Sequence, residues 1–250
     1  VNGLLSRPGR VREELIPAGA TLAVPLAHGH ISPGIRPRAG TGDNTAIETR
    51  NTAIVAGGSQ HGRGASTYFP DGATVESGGS YTGSQSAYLD GALGVSVGCW
   101  IRMVGMSGTS AVIAARGDSN AAFSNRDFQF LILSDFTVRV HYFNGVNQKF
   151  ATSTATISLN RWHHIVWIAR PNTQGNCKVF LDGVQIVSSS QSGNMNTVDR
   201  PLAIGTLRQS SAAWNTASQF NGDMAHLYYW NRGLTDAEAV NLFVATNPGY

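Results

Sequence analysis

The stretch Asn160-Arg161-Trp162-His163-His164-Ile165-Val166-Trp167-Ile168-Ala169-Arg170 runs into Pro171-Asn172-Thr173-Gln174-Gly175-Asn176 and then Cys177-Lys178-Val179-Phe180-Leu181-Asp182-Gly183. Trp162 to Ala169 is too apolar and β-branched for a surface loop and too short for a typical globular helix. It reads as a strand buried on both faces. Pro171, Asn172, Gly175 and Asn176 form a turn cluster. Lys178 to Leu181 reads as the returning strand, and Asp182-Gly183 suits the positive φ of a hairpin turn. A third strand follows at Val184 to Val187. The antiparallel meander decides the fold class and says little about a ligand.

The rest of the chain agrees with it. The sequence has 250 residues, with 29 Gly, 13% charged residues and a net charge of +3. Abundant glycine and sparse charge suit many short strands joined by many turns, and an ordinary apolar fraction excludes a disordered polymer. The 18 basic residues are sixteen Arg and two Lys, Lys149 and Lys178. Arg favours bidentate pairing and buried contacts. The Arg residues are scattered, not striped, so nucleic acid is not an expected partner. Cys99 and Cys177 each fall inside a strand and read as two buried free thiols. No run of about 18 apolar residues exists, so no membrane span is expected. Residues 1–19 lack the apolar core of a signal peptide. Either a leader was removed or export takes another route.

Along the chain, residues 1–19 carry Arg7, Arg10 and Arg12 beside Glu13 and Glu14. They read as an N-terminal arm that docks on partner subunits, with residues 20–250 forming one domain. Strands are expected at Thr21–Leu26, on an edge because of Pro25, and at Ala53–Ala56, Ala65–Phe69, Val95–Val104, Val112–Arg116, Phe128–Leu133, Val138–Phe143 and Phe150–Thr154. Two more follow at Leu202–Gly205 and Met224–Trp230. His28–Thr45, Ser77–Ser86 and Gln209–Gln219 read as loops. Thr235 with Glu238 three residues on forms a capping box for one terminal helix that turns Ala239, Leu242 and Phe243 inward. The pattern predicts an all-β chain: a two-sheet antiparallel β-sandwich of jelly-roll type with a short C-terminal helix.

The ordered motifs resemble the laminin-G-like, concanavalin-A-like jelly-roll family. They are Gly62…Phe69-Pro70-Asp71-Gly72, Val97-Gly98-Cys99-Trp100-Ile101, Ile113-Ala114-Ala115-Arg116 and Arg161-Trp162-His163-His164-Ile165. After these come Val179-Phe180-Leu181-Asp182-Gly183, Leu202-Ala203-Ile204-Gly205, Phe220-Asn221-Gly222-Asp223 and Tyr229-Trp230-Asn231-Arg232-Gly233-Leu234-Thr235 with Glu238. The resemblance spans residues 60–245, and residues 20–60 less closely. It implies the sandwich fold of that family and says little about function. It does not by itself imply a reaction, because one fold hosts many functions.

The chemistry points away from catalysis. Glucanases of this fold carry Glu-x-Asp-x-Glu on one strand, which sets an acid and a nucleophile about 5 Å apart. The five Glu here (Glu13, Glu14, Glu48, Glu76 and Glu238) never fall at that spacing. Family members bind Ca²⁺ at a rim, and Asp118, Asp127 and Asp135, with Asn120 and Asn125, are the candidate ligands. Asp71 and Asp90 are a second set. The plainer and favoured reading is that all are turn formers. His28 and His30 lack a third metal ligand in view. His163 and His164 read as structural hydrogen bonders, and Trp100, Trp162, Trp167 and Trp230 as core. Trp214, in a polar loop, is the candidate to stack on a sugar or anchor an interface; Tyr81 and Tyr142 are lesser candidates.

Together these readings predict a non-enzymatic structural or binding module. Its expected setting is the virion surface of a bacterial virus, as a capsid decoration or tail protein, with cell-surface glycans as partners. The alternatives are a secreted extracellular carbohydrate-binding module and, least favoured, a polysaccharide-active enzyme.

Overall fold

The computed structural model describes residues 17–18, 22–24, 47–50, 55–56, 67–69, 74–77, 94–106, 108–119, 122–170, 177–190, 195–196, 198, 202–210 and 213–247. The strands in chain order are β1 (Leu22–Val24), β2 (Ile47–Arg50), β3 (Val55–Ala56), β4 (Thr67–Phe69), β5 (Thr74–Ser77), β6 (Val95–Gly105), β7 (Ser110–Gly117), β8 (Arg126–Leu133) and β9 (Thr137–Phe143). They continue with β10 (Gln148–Thr156), β11 (His163–Ala169), β12 (Cys177–Leu181), β13 (Val184–Ser189), β14 (Leu202–Ile204), β15 (Arg208–Ser210), β16 (Ala213–Trp214) and β17 (Asn221–Trp230). The helix α1 spans Asp236–Thr246.

Two antiparallel sheets form the sandwich. One has eight strands in the order β13-β12-β11-β6-β17-β4-β3, with β1 also paired to β17; the other has seven, in the order β10-β9-β8-β7-β14-β5-β2. Strand β11 lies between β6 and β12, with Trp167 opposite both Val97 and Val179. All seven residues of β11 are buried. Alternation explains how. Ile165, Trp167 and Ala169 face the main core between the sheets. Val166 and Ile168 face the other way and pack with Phe180, Tyr228, Trp230 and the α1 residues Ala239 and Leu242. The continuous apolar run is therefore a strand with a sheet on one side and a helix on the other. Gly98 makes the helix approach possible, since a Cβ there would lie 2.6 Å from Leu242 Cδ2.

Asp182 (φ 51°) and Gly183 (φ 79°) form the expected hairpin turn. The Thr235–Glu238 capping box is present with both of its hydrogen bonds, and Ala239 and Leu242 are buried while Phe243 is half-buried. Cys99 and Cys177 are free and buried.

Other expectations need correction. The strand read as Trp162–Ala169 begins one residue later, so Trp162 is half-buried and not core. The Arg102 guanidinium lies over its ring, 5.9 Å from the centroid. The loop read at Gln209–Gln219 contains β16 and a 3₁₀ turn at Thr216–Ser218. Strands β2 and β5 pair with each other although neither stood out in the sequence. Their apolar content is slight, and their partner strands supply the order. No helix among the described residues is long and apolar enough to cross a membrane.

Candidate functional site

The paired histidines build a clamp. The Ser158 N–H donates to His163 Nε2 at 3.3 Å, so Nε2 is an acceptor and Nδ1 carries the proton. That Nδ1–H donates to Asp182 Oδ2 at 2.8 Å. The His164 backbone N–H donates to the other oxygen, Oδ1, at 2.8 Å. Asp182 thus ties the start of β11 to the β12–β13 turn. Burial pushes its carboxyl up, but the bonds from His163 and His164 outweigh this and hold it below the usual range. His164 turns outward beneath α1, against Trp100 and Phe243 at ring-centroid distances of 5.2 and 5.6 Å. Both roles are structural: His163 hydrogen-bonds through its ring, as the sequence suggested, and His164 through its backbone N–H, its ring packing against aromatics instead.

Asp118 and Asp127 directly follow the paired Gly117 and Arg126 at one end of the β7–β8 pair, but Asp135 does not join them. Asp127 and Asp135 lie at opposite ends of β8, a separation of about 25 Å at the strand rise of roughly 3.3 Å per residue. Asp127 is wholly buried and paired with the Arg116 guanidinium at 2.9 Å. A fixed cation already neutralises it. Asp135 caps an exposed turn, accepting from the Thr137 N–H at 3.0 Å and from its hydroxyl at 2.6 Å. Among the described residues, no three His, Cys, Asp or Glu side chains are grouped to hold a metal. The triad therefore does not fit Ca²⁺ as one site. Tyr142 is also displaced from its expected role. Only 2% exposed, it faces the main core from β9, in phase with Val138 and Val140. Tyr81, Arg7, Arg10, Arg12, Asp71, Asp90, His28 and His30 lie outside the described residues.

A different surface emerges on the outward side of the seven-stranded sheet. The inward rows of β8, β9 and β10 supply Phe128, Phe130, Ile132, Val138, Val140, Tyr142 and Ala151 to the core. The alternate rows must face away. Register places Phe150 beside His141, and Thr152 beside Arg139. On β8, Gln129 lies across from His141 and Leu131 from Arg139. Phe150 is 55% exposed although it lies mid-strand. Arg139 lies over its ring at 5.4 Å and donates from Nε to Thr152 Oγ1 at 2.9 Å. His141 is 5.9 Å from the same ring, and the Gln148 amide lies 2.8 Å from His141 Nδ1. Arg126 covers Phe143 at 5.5 Å, one step further along. Burial, then the positive charges of Arg139 and Arg126, push His141 down to about 4, so its ring is neutral at pH 7.

The β7–β8 half of this surface is closed. Leu207 packs with Val112, Ala115 and Leu131. The β15–β16 hairpin begins at the next residue, and Asn215 N–H donates to Leu207 O at 2.8 Å. The backbone of Trp214 thus lies at the margin of the same sheet face. The open half, over β9 and β10, presents an aromatic ring ringed by Arg, His, Gln and Thr. That is the arrangement by which a protein stacks on a flat, partly apolar ligand and hydrogen-bonds its edges. The sequence reading missed Phe150 as a site residue. The available signal was its phase: it alternates with Gln148, Thr152 and Thr154, not with the buried Ala151 and Ser153.

Comparison with known proteins agrees with this architecture. A family model described as the concanavalin A-like lectin/glucanases superfamily, of laminin-G type, matches residues 76–240. The match covers more than half of the sequence, and the chain belongs to that family. A sequence search of curated proteins finds no match. Among solved structures, domain 4 of AbnA, an extracellular arabinanase from Geobacillus stearothermophilus, in complex with arabinotriose, superposes with a TM-score of 0.61 at 13% identity. The alignment covers 90% of this chain and 98% of that one. The binding domain of Paraclostridial Mosquitocidal Protein 1 gives 0.60 at 16% identity, covering 89% of this chain and 52% of that one. Trypanosoma rangeli sialidase gives 0.61 at 13% identity, covering 91% of this chain and 33% of that one. This chain therefore spans about half of the toxin chain and a third of the sialidase chain. At these identities the likeness is one of fold alone, a lectin-like fold shared by binding domains and by chains that carry glycosidases.

Proposed function

We propose that this protein is a non-enzymatic glycan-binding module and that the outward face of β9 and β10 is its binding surface. The observation that carries the proposal is Phe150, an exposed aromatic ring in mid-strand with hydrogen-bonding side chains on each side. The complex of the arabinanase domain with arabinotriose supports it, as a domain of this fold with a sugar bound. The state of five carboxylates among the described residues is in keeping with a binding role. A glycosidase needs one carboxyl held protonated as an acid opposite a second. Here Asp127, Asp182, Asp223, Asp236 and Glu238 each meet a cationic or histidine partner. Asp182, Asp236 and Glu238 are held below their ordinary range, the opposite of what an acid requires. A glycan array tests the reading. Phe150→Ala should weaken every glycan contact by roughly tenfold or more, as loss of a central aromatic anchor does. Trp214→Ala reports whether the hairpin margin takes part. Unchanged binding by Phe150→Ala would move the site elsewhere.

We further propose that the module works within a larger assembly, such as the surface of a bacterial virus, rather than as a secreted lectin. Two observations favour this setting. Cys99 and Cys177 are buried, unpaired thiols, as expected of a chain that folds in a reducing compartment and reaches the outside by lysis. The Trp230 indole N–H also donates to Pro17 O at 3.1 Å, and Arg232 to Ala18 O at 3.0 Å. Residues 17 and 18 are thus tied to Trp230 and Arg232, which would give a preceding docking arm a fixed base. Removing residues 1–16 should abolish incorporation into particles while leaving glycan binding intact. Incorporation without the segment would refute the docking role.

A further inference from the structure

We infer that the outward face of β9 and β10 selects polysaccharides whose sugar rings carry a carboxylate, and that Arg139 is the residue that pairs with it. The inference rests on the glycan-binding reading above and gives it a ligand class.

The first ground is the placement of Arg139. Stacking on Phe150 and the Nε bond to Thr152 hold its guanidinium beside the ring at the open surface. With Nε committed to Thr152, the two terminal nitrogens present the planar fork that fits a carboxylate. A sugar ring resting on Phe150 would bring a substituent at its edge within reach of that fork, since diagonal neighbours across a strand pair lie about 7 Å apart.

The second ground is a contrast with five cations that pair with carboxylates. Arg102 meets Asp223, Arg116 meets Asp127, Arg170 and Lys178 meet Asp236, and Arg232 meets Glu238. Arg139 meets a hydroxyl and an aromatic ring instead. Residues 137–156, which form β9, its turn and β10, contain no Asp or Glu at all. Of the flanking carboxylates, Asp127 pairs with Arg116 in the interior, and Asp135 accepts from Thr137 at the turn, near enough to feel the charge of Arg139 without a hydrogen bond to it. Arg126, which covers Phe143 and donates to Ser119 O, adds a second positive charge near His141. His141, kept neutral and tied to Gln148, adds hydrogen-bonding capacity without a third charge. The surface is thus an aromatic platform with two guanidinium groups near it, complementary to a chain of acidic sugars.

Affinity electrophoresis of the whole chain through gels containing polygalacturonate, hyaluronan, dextran, arabinan or dextran sulfate tests this. Retardation should be strongest in the two carboxylated polymers. Arg139→Gln should weaken it there by about tenfold, the scale of a charged hydrogen-bond pair, and should weaken any retardation by neutral polymers much less. Arg139→Lys keeps the charge and loses the fork, so it should restore only part of the effect. Circular dichroism confirms that each variant is folded. Equal or stronger retardation by dextran sulfate, unaltered in Arg139→Gln, would reduce the effect to bulk charge and overturn the inference. Retardation by neutral polymers alone would overturn it while leaving the glycan-binding reading intact. No retardation in any gel, with Phe150→Ala indistinguishable from the parent, would overturn both.

Discussion

The Trp100 indole N–H donates to Thr246 Oγ1 at 2.8 Å, joining the middle of the eight-stranded sheet to the last turn of α1 across 146 residues of sequence. Thr246 passes the bond on, donating its own proton to Leu242 O at 2.7 Å. Both side chains are buried. Thr246→Val keeps the shape but removes the acceptor from a buried donor, which costs about 1–3 kcal/mol. Chemical denaturation should show a lower midpoint with an unchanged slope. A midpoint equal to that of the parent would mean that the helix end frays in solution and the bond contributes nothing.

The same interface should fail in acid. His164 lies beneath α1 against Trp100 and Phe243, and burial pushes its ring down to about 3, with Asp182 acting weakly in the opposite sense. His226, partly exposed, is held at about 4 by burial and contributes less. Both values lie below the ordinary 6.5, so the folded protein disfavours the charged rings. Their stabilising effect is complete above pH 6.5 and is lost as pH falls from there toward 4 and 3. At pH 4 the loss through His164 is of order 3 kcal/mol by proton linkage. Thermal melts between pH 7 and pH 4 should fall steeply in the parent and less steeply in His164→Phe. Parallel curves would show that another group governs acid unfolding.

How much of this was readable in advance follows from whether a signal is local. The Thr235–Glu238 cap spans four residues and was legible. So was the β11–β12 hairpin, where five apolar residues in a row, Ile165 to Ala169, leave few alternatives. The outward face was not, because it exists only when β10 is set beside β9 in register. Tyr142 and Phe150 show the difference. Both were read by residue type, as an aromatic near a loop and as a strand residue. Phase reverses them: Tyr142 shares the inward row of Val138 and Val140, while Phe150 shares the outward row of Gln148 and Thr152. The favoured reading of the three aspartates as turn formers holds for Asp135, while the Ca²⁺ alternative fails. Nearness in sequence concealed the length of β8 between two of them, and Arg116 gave no local sign that it would claim Asp127.

Asp182 carries two loads, the His163 and His164 bonds and a positive-φ turn. Substitution separates them. Asn tolerates left-handed φ and can still accept hydrogen bonds, so Asp182→Asn should cost only about 1 kcal/mol. Asp182→Ala loses both bonds and strains the turn, and should cost roughly 3 kcal/mol. The ordering of the two melting temperatures checks the assignment. Equal losses would make the turn, not the carboxylate, the important feature.

Glu238 binds Arg232 through both oxygens, at 2.7 and 3.0 Å, and accepts from the Thr235 N–H at 2.7 Å. The bonds from Arg232, ahead of an opposing burial effect and those from Thr235, hold its carboxyl down at about 2. Arg232 also donates to Ala18 O, so the helix cap and the anchor of the N-terminal segment share one guanidinium. Arg232→Ala should lower stability by about 1 kcal/mol, the scale of a lost cap. It should also speed proteolytic cleavage near Ala18 more than Thr235→Ala does. If both variants are cleaved equally fast, Arg232 does not anchor the segment.

The two cysteines yield the simplest measurement. Burial pushes the Cys177 thiol up to about 11, the neighbouring Trp167 indole acting weakly in the opposite sense, and raises Cys99 further still. The reactive species is the thiolate, so at pH 8 neither thiol should react with a disulfide reagent while the sandwich is folded. Both should react at once in denaturant. Labelling of the native protein at a rate that tracks global unfolding would agree with this burial. Faster labelling of Cys177 alone would show that β12 opens on its own, and that the β11–β12 hairpin is held less firmly than its packing against α1 implies.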